Sequence, residues 1–367
     1  MIERLHIRGF KRFATASFQL APLTVLAGLN GTGKTSLIHA LLLAREASQS
    51  GDGGIVRLNG PFGLELGTAA DVRNWAVEGD IEVALEWDGG NVATWRFTET
   101  SDDALFLQRA AVPDHPPPPF TGMPRVFTYL CADRLGPRSI LGSAALPPEV
   151  LEVGARGEFS AQVLAGLGDR LLPDESRIHP DSGPDDVRLL KYQVERWLSE
   201  IARPVEIDTD RFAGTPVMAL RFRVPGGDWV RAPNMGFGVT YALPVVLGGL
   251  TAARKGLVIV ENPEAHLHPA GQSRIGIFLA WLAAHGVQVV IETHSDHVLN
   301  GIRRAIGELR YLPATDALVH SFSPDDTGTV HCLRFTSLGG LNDWPAGFFD
   351  QYQLDVAALG RVRRQRS

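Results

Sequence analysis

The stretch Gly28-Leu-Asn-Gly-Thr-Gly-Lys34-Thr35 restricts the folds open to this chain more than any other. It satisfies the pattern Gly-x-x-x-x-Gly-Lys-Ser/Thr, which works only as the loop between a strand and a helix. Both flanks are present. An apolar run from Phe18 to Leu26, broken by Pro22, leads into the glycines, and the residues from Thr35 to Ala47 have helical periodicity and strong helix formers. In such a loop the glycines let backbone N–H groups close around a phosphate, and the helix N-terminus adds partial positive charge. Lys34 would neutralise the outer phosphates, and Thr35 would offer its hydroxyl to Mg2+. Asn30, Gly31, Thr32, Gly33, Lys34, Thr35 and Ser36 are therefore the expected nucleotide-binding residues, with ATP and Mg2+ as cofactors. The competing account is a glycine-rich turn with a chance lysine, but lysine is scarce here, the others being Lys11, Lys191 and Lys255.

The rest of the chain supplies strands and helices in α/β order. Ile2 to Ile7 alternates apolar and polar side chains, and Ile81 to Trp87 and Val92 to Phe97 read as a hairpin turning at Gly89-Gly90. Pro113 and Pro116 to Pro119 mark a loop, after which Arg125 to Leu130 reads as a buried strand. Leu141 to Pro184, rich in Gly, Pro and Asp, reads as a helical insertion. Val187 to Ile201 is an amphipathic helix, with Val187, Leu190, Val194, Trp197, Leu198 and Ile201 on one face. The last third predicts a strand over Leu257 to Val260, a helix over Pro269 to His285, a strand over Val287 to Ile291 and a helix over Ser295 to Ile306. No heptad array is sustained, so long coiled-coil arms are not expected. The expected division is an ATPase lobe over 1–100, an insertion over 101–232 and a second ATPase lobe over 233–367.

Composition narrows the partners. A net charge of −6 argues against a surface that is basic all over, so DNA, if bound, would need a local patch. The one dense basic run, Arg361, Arg363, Arg364 and Arg366, reads as a solvated terminus. Cys131 and Cys332 lack metal-ligand spacing and suit a reducing compartment. The start is charged from Glu3 onward without a signal-peptide apolar region, and the longest apolar stretch, Ala242 to Ala253, falls short of the roughly 20 residues of a membrane span. A cytoplasmic protein without a membrane partner is expected.

A phosphate loop needs an acidic residue at the end of a neighbouring strand to hold the magnesium shell. Leu257-Val-Ile-Val-Glu261 supplies one, so Thr35 and Glu261 are the expected metal residues. Asn262-Pro-Glu264-Ala-His266-Leu-His268-Pro269 follows.

The block Val260-Glu-Asn-Pro-Glu-Ala-His-Leu-His-Pro269 resembles that of bacterial ABC-type ATPases related to RecF, SMC heads and the overcoming-lysogenization-defect ATPases. Ile7-Arg-Gly-Phe-Lys-Arg-Phe13 is similar to their first strand and nucleotide-side loop, which adds Arg12 to the nucleotide residues. Val289-Val-Ile-Glu-Thr-His294-Ser295 is similar to their switch-histidine strand. Closer still is a bacterial group of predicted AAA-family ATPases sharing Leu130-Cys-Ala-Asp-Arg-Leu-Gly-Pro-Arg138, Gly154-Ala-Arg-Gly-Glu158 and Trp344-Pro-Ala-Gly-Phe-Phe-Asp350, motifs with no assigned chemistry.

The resemblance implies an ABC-type P-loop head with a mixed β-sheet, an antiparallel β subdomain and the partly helical insertion. It implies a signature loop at Asn234, Gly236 and Gly238 that caps ATP held by an opposite subunit, hence an ATP-closed homodimer, and His294 as switch residue. It places such proteins in anti-phage defence or DNA maintenance, often beside a separate effector protein. Where the family usually has a catalytic glutamate, this chain has Asn262, an amide that can hold a water but cannot take its proton. Either Glu264 takes over, or hydrolysis is slow and the protein acts as an ATP-held switch; the alternative is a non-hydrolysing ATP-sensing scaffold for a separate effector. The expected catalytic residues are thus Lys34, Glu261, Asn262, Glu264 and His294. Rival readings are a metallohydrolase built from His266, His268, His294, His297, Asp296 and Glu264, a small-molecule kinase, and a nuclease, for which no acidic cluster follows Asp316. Arg134 and Arg138 would reach phosphate or a partner, or serve in structural salt bridges with groups such as Asp133. Glu158 is equally open between function and structure.

Overall fold

The computed structural model describes residues 1–49, 51, 53–60, 63–323, 329–345, 347–350, 354–359 and 361. Of the basic tail only Arg361 falls within them. In chain order the elements are β1 (Ile2–Phe10), β2 (Phe13–Gln19), β3 (Leu23–Gly28), α1 (Lys34–Gln49), β4 (Ile55–Arg57), α2 (Ala69–Val72), β5 (Ile81–Trp87), β6 (Asn91–Thr98), β7 (Phe106–Ala111) and β8 (Phe127–Leu130). There follow β9 (Leu141–Gly142), α3 (Ser160–Leu167), α4 (Leu190–Ile201), β10 (Glu206–Arg211), β11 (Val217–Arg223), β12 (Val230–Arg231), α5 (Phe237–Thr251), β13 (Leu257–Glu261), α6 (Pro269–Ala284), β14 (Gln288–Thr293), α7 (Asp296–Gly307), β15 (Ala317–Phe322) and β16 (Val330–Arg334).

The central sheet runs β16-β15-β3-β14-β13-β8, parallel except for β16 at one edge. Its strands are nearly continuous apolar runs because both faces are covered. Leu23, Val25, Val258, Val260, Val289 and Ile291 enter one core with α4 to α7, while Leu26, Leu257, Ile259 and Val290 enter a second core with α1. That alternation is the two-residue period of a strand shared between two layers. The second core is closed by an antiparallel sheet in the order β2-β1-β5-β6-β7-β4, so α1 lies between two sheets. A small sheet of β10, β11, β12 and β9 belongs to the insertion. The central sheet takes β3, β8 and β13 from the three segments expected along the chain, which therefore meet in it.

The hairpin, the buried strand before Cys131 and the alternation of the last third form where expected. Two readings change. The helix expected from Val187 starts at Leu190, because Gln193 Nε2 donates to the Val187 carbonyl and Val187 stays exposed. Between Leu141 and Pro184, helix is confined to α3 and short 3-10 turns, with β9 added as a strand. α6 and α7 pack backbone to backbone: a Cβ on Gly276 would lie 2.3 Å from the Val298 carbonyl oxygen, and one on Gly301 2.0 Å from that of Ser273. Among the described residues no helix is long and apolar enough to cross a membrane, and the longest helices, α1 and α6, are short of coiled-coil arms.

Candidate functional site

The phosphate loop leaves β3 at Gly28 and enters α1 at Lys34, so the expected loop stands between the expected elements. Gly28, Gly31 and Gly33 have φ of 140°, 76° and 103°, conformations that strain residues carrying a Cβ. Arg12, from the β1–β2 turn, lies across this loop: its Nη1 donates to the Gly31 carbonyl at 3.4 Å, and a Cβ on Gly33 would strike its Cδ. Asn30 and Gly31 are exposed, Thr32 closes the loop by donating to the Leu29 carbonyl at 2.7 Å, and Ser36 is half-buried in the first turn of α1.

Lys34 is buried and folded back on its own loop, donating to the carbonyls of Gly28 at 3.0 Å and Leu29 at 2.7 Å. Burial lowers its pKa, against the pull of Glu292, whose Oε1 is 3.8 Å from Nζ. The Thr35 hydroxyl is 3.1 and 3.0 Å from the two Glu292 oxygens. Glu292 was not singled out from sequence, where it appeared only inside the switch-histidine strand. Burial and then repulsion from Glu261 push its pKa up to about 7.

Glu261 ends β13 and is oriented differently. It accepts from the Tyr129 hydroxyl at 3.0 Å and the Ala132 N–H at 3.1 Å, and burial raises its pKa. Asn262 has φ of +44°, with a buried Oδ1 that lacks a hydrogen-bond partner. Glu264 accepts the His294 N–H at 2.9 Å on one oxygen and leaves the other buried and unpaired; burial raises its pKa too. The His294 imidazole reaches the Gly28 backbone, and burial lowers its pKa. The oxygens of Thr35, Glu261 and Glu292 are hard donors of the kind Mg2+ prefers.

Gly28, Leu29 and His294 also line a cavity of about 430 Å3 together with Phe322, Phe348 and Phe349. The Trp344 to Asp350 motif thus reaches the phosphate loop, apart from Ala346, which lies outside the described residues. Phe348 packs its ring 5.0 Å from Trp344 and 4.8 Å from Phe349.

Two of the motifs without assigned chemistry, 130–138 and 154–158, meet beside the end of β13. Arg134, 1% exposed, donates to the carbonyls of Cys131 at 2.9 Å, Glu261 at 2.6 Å and Asn262 at 2.7 Å. It therefore points at the protein's own backbone and not at a phosphate. Cys131 N–H and Leu135 N–H donate to the carbonyls of Ala155 and Arg156, Asp133 pairs with Arg156 at 2.7 Å, and Glu158 accepts the Arg156 N–H. Arg138 borders a small cavity beside α5.

Asn234 sits in a 3-10 turn and Gly236 caps α5, while Gly238 already belongs to the first helical turn. α5 packs against β8 and β13; β14 separates β13 from β3, and so from the chain's own phosphate loop. The proposed metallohydrolase ligands are dispersed: His266 stacks against Phe237 and Tyr241, His268 caps α6, and Asp296 and His297 lie half-exposed on α7. Among the described residues only His179, Asp181 and Glu200 converge as three metal-ligand types. His179 Nδ1 accepts the Asp181 N–H at 3.2 Å, and its Nε2 lies 3.1 Å from a Glu200 oxygen without hydrogen-bond geometry.

Residues 4–104 match a family described as an AAA domain, and residues 141–300 match one described as "AAA domain, putative AbiEii toxin, Type IV TA system". No curated protein matches in sequence. The crystal structure of the SmcHead bound to the C-winged helix domain of ScpA is 13% identical, covers 91% of this chain and 97% of that one, and gives a TM-score of 0.52. The Pyrococcus furiosus Smc head domain with an extended coiled coil bound to the C-terminal domain of ScpA is 12% identical, covers 99% of each chain and scores 0.46. The SMC head domain from Thermotoga maritima is 14% identical, covers 91% of this chain and 99% of that one, and scores 0.43. The fold is an SMC-head-like P-loop ATPase fold. Two stretches of the chain thus match AAA-domain families, and its fold is similar to that of the SMC head.

Proposed function

We propose that the protein binds MgATP at Gly28 to Thr35, closes into a head-to-head dimer and hydrolyses ATP slowly, acting as the ATP-dependent switch of a bacterial anti-phage or DNA-maintenance system. The observation that carries this is the convergence of Lys34, Thr35, Glu292 and His294 on one glycine loop between β3 and α1. Thr35 with Glu261 or Glu292 would hold Mg2+, which when bound neutralises charge on the phosphates. Lys34 turns from the loop carbonyls to the outer phosphates, and His294 stands where it can donate to the terminal one. Glu264 would accept a proton from water that Asn262 only orients, a role supported by its buried unpaired oxygen and raised pKa. Capping of the nucleotide by Asn234, Gly236 and Gly238 requires a second copy, because β14 stands between their support and the phosphate loop of the same chain.

The defence role draws on the family resemblance and on the toxin-system description attached to residues 141–300; a separate effector, or DNA, would be the downstream partner. A non-hydrolysing scaffold is the second reading, favoured by Asn262. Purified protein is expected to show weak ATPase activity, abolished by Lys34→Ala, and light scattering should show its mass doubling with ATP when Glu264→Gln blocks turnover. Activity that survives Lys34→Ala rules out this site.

A further inference from the structure

Glu261, the last residue of β13, and Glu292, the last but one of β14, are register partners on neighbouring parallel strands, so their side chains leave the sheet on the same face. Their surroundings differ. Both Glu261 oxygens are already held, one by Tyr129 and one by the Ala132 N–H. The Glu292 oxygens instead face Thr35 and Lys34, the two side chains that a magnesium triphosphate would claim. Glu292, 7% exposed, thus stands in the nucleotide-free protein where cation and phosphate would otherwise engage the loop.

Charge and distance both favour a cation at this point. Two buried carboxylates on adjacent strands repel, and Lys34 at 3.8 Å neutralises only one of them. The 3.0 and 3.1 Å separations between Thr35 Oγ1 and the Glu292 oxygens are close to the roughly 3 Å between neighbouring ligands of an octahedral Mg2+ with bonds of about 2.1 Å. A cation could therefore replace the Thr35 proton with little movement of either side chain.

We propose that Glu292 supplies the carboxylate beside Thr35 in the divalent-metal site, holding Thr35 and Lys34 until the nucleotide arrives and then passing Lys34 to the phosphates. Glu261 is the outer member of the pair, oriented by Tyr129. This rests on the MgATP reading above.

The test is calorimetric ATP affinity measured in EDTA and in Mg2+ for wild type, Glu292→Gln and Glu261→Gln, with Mn2+ uptake in the presence of ATP followed by electron paramagnetic resonance. Glu292→Gln is expected to cut the gain in affinity that Mg2+ confers by tenfold or more, while leaving metal-free ATP affinity unchanged or tighter, since a negative charge beside the phosphates is gone. Glu261→Gln should cut that gain less. A gain within twofold of wild type in Glu292→Gln, or a larger loss in Glu261→Gln, overturns the inference while leaving the nucleotide site standing. Wild type that takes up no ATP in either buffer brings down the MgATP reading itself. Should Glu292→Gln not fold, Glu292→Asp is measured instead. It keeps the charge but shortens the reach, so reduced Mn2+ occupancy supports the inference and full occupancy overturns it.

Discussion

Replacing Arg134 by Met should destabilise the protein by about 4 kcal/mol. The side chain is 1% exposed and donates to three carbonyls, at 2.9, 2.6 and 2.7 Å, with its guanidinium 5.7 Å from the Tyr241 ring centroid. Hydrogen bonds from a charged donor contribute about 1.5–3 kcal/mol each, so three amount to roughly 4.5–9 kcal/mol. Met fills much of the same volume and removes the desolvation penalty of a buried cation, which is several kcal/mol and offsets part of that loss. What remains uncompensated is the set of buried carbonyls of Cys131, Glu261 and Asn262. Equilibrium unfolding in guanidinium chloride, followed by circular dichroism, measures the difference. Arg134→Lys, which keeps the charge but not the planar fork, should lose about half as much. Two of the three carbonyls belong to the loop leading to Glu264, so amide exchange at 262–266 should quicken in Arg134→Met before the rest of the chain opens. A stability loss under about 1 kcal/mol, with exchange unchanged, would mean that Arg134 does not hold this loop.

Other perturbations test other parts of the molecule. His39 accepts from Lys11 Nζ at 2.8 Å, and burial first, then Lys11, lowers its pKa to about 3. With a folded pKa below the unfolded value, its contribution to stability is full above pH 6.5 and is lost as pH falls towards 3; about 2 kcal/mol should be gone by pH 5, and urea titrations of His39→Gln at pH 7 and 5 should lack this increment. Gly33→Ala meets Arg12 Cδ at 2.2 Å and a φ of +103°, so a folded variant should lose MgATP binding by calorimetry. Gly301→Ala drives a methyl to 2.0 Å from the Ser273 carbonyl oxygen and should cost about 3 kcal/mol by separating α6 from α7, read as a lowered thermal midpoint. Tyr129→Phe removes one donor from buried Glu261 and should cost about 1–3 kcal/mol in denaturant titration.

The phosphate loop was legible because its determinants are local. Glycines at positive φ, a preceding apolar strand and a following run of helix formers lie within a few residues of one another, and Arg12 was placed beside them through its motif. The helices α6 and α7 and strands β13 and β14 were legible for the same reason, as periodic patterns bounded by capping residues such as Ser295, whose side chain accepts from the His297 and Val298 N–H groups. Glu292 was hidden inside an apolar strand pattern, and only the pairing of β14 with β3 and β13 shows that it faces Thr35. Arg134 carried no sign of whether it would meet a phosphate, a carboxylate or a carbonyl. The bonding of residues 131–135 to 155–156 was invisible for a similar reason, since the contacting groups are mostly backbone.

What the sequence by itself determined was the set of local pieces: which segments are strands or helices, and where a chain of this kind can wrap a phosphate. Strand order and register decided the rest, because they alone bring Glu292 to Thr35, hold Glu261 against Tyr129 and Ala132, and turn Arg134 inward. Backbone conformation depends on neighbours in the chain, whereas the charge environment of a carboxylate depends on neighbours in space, which the pairing of strands supplies only after folding.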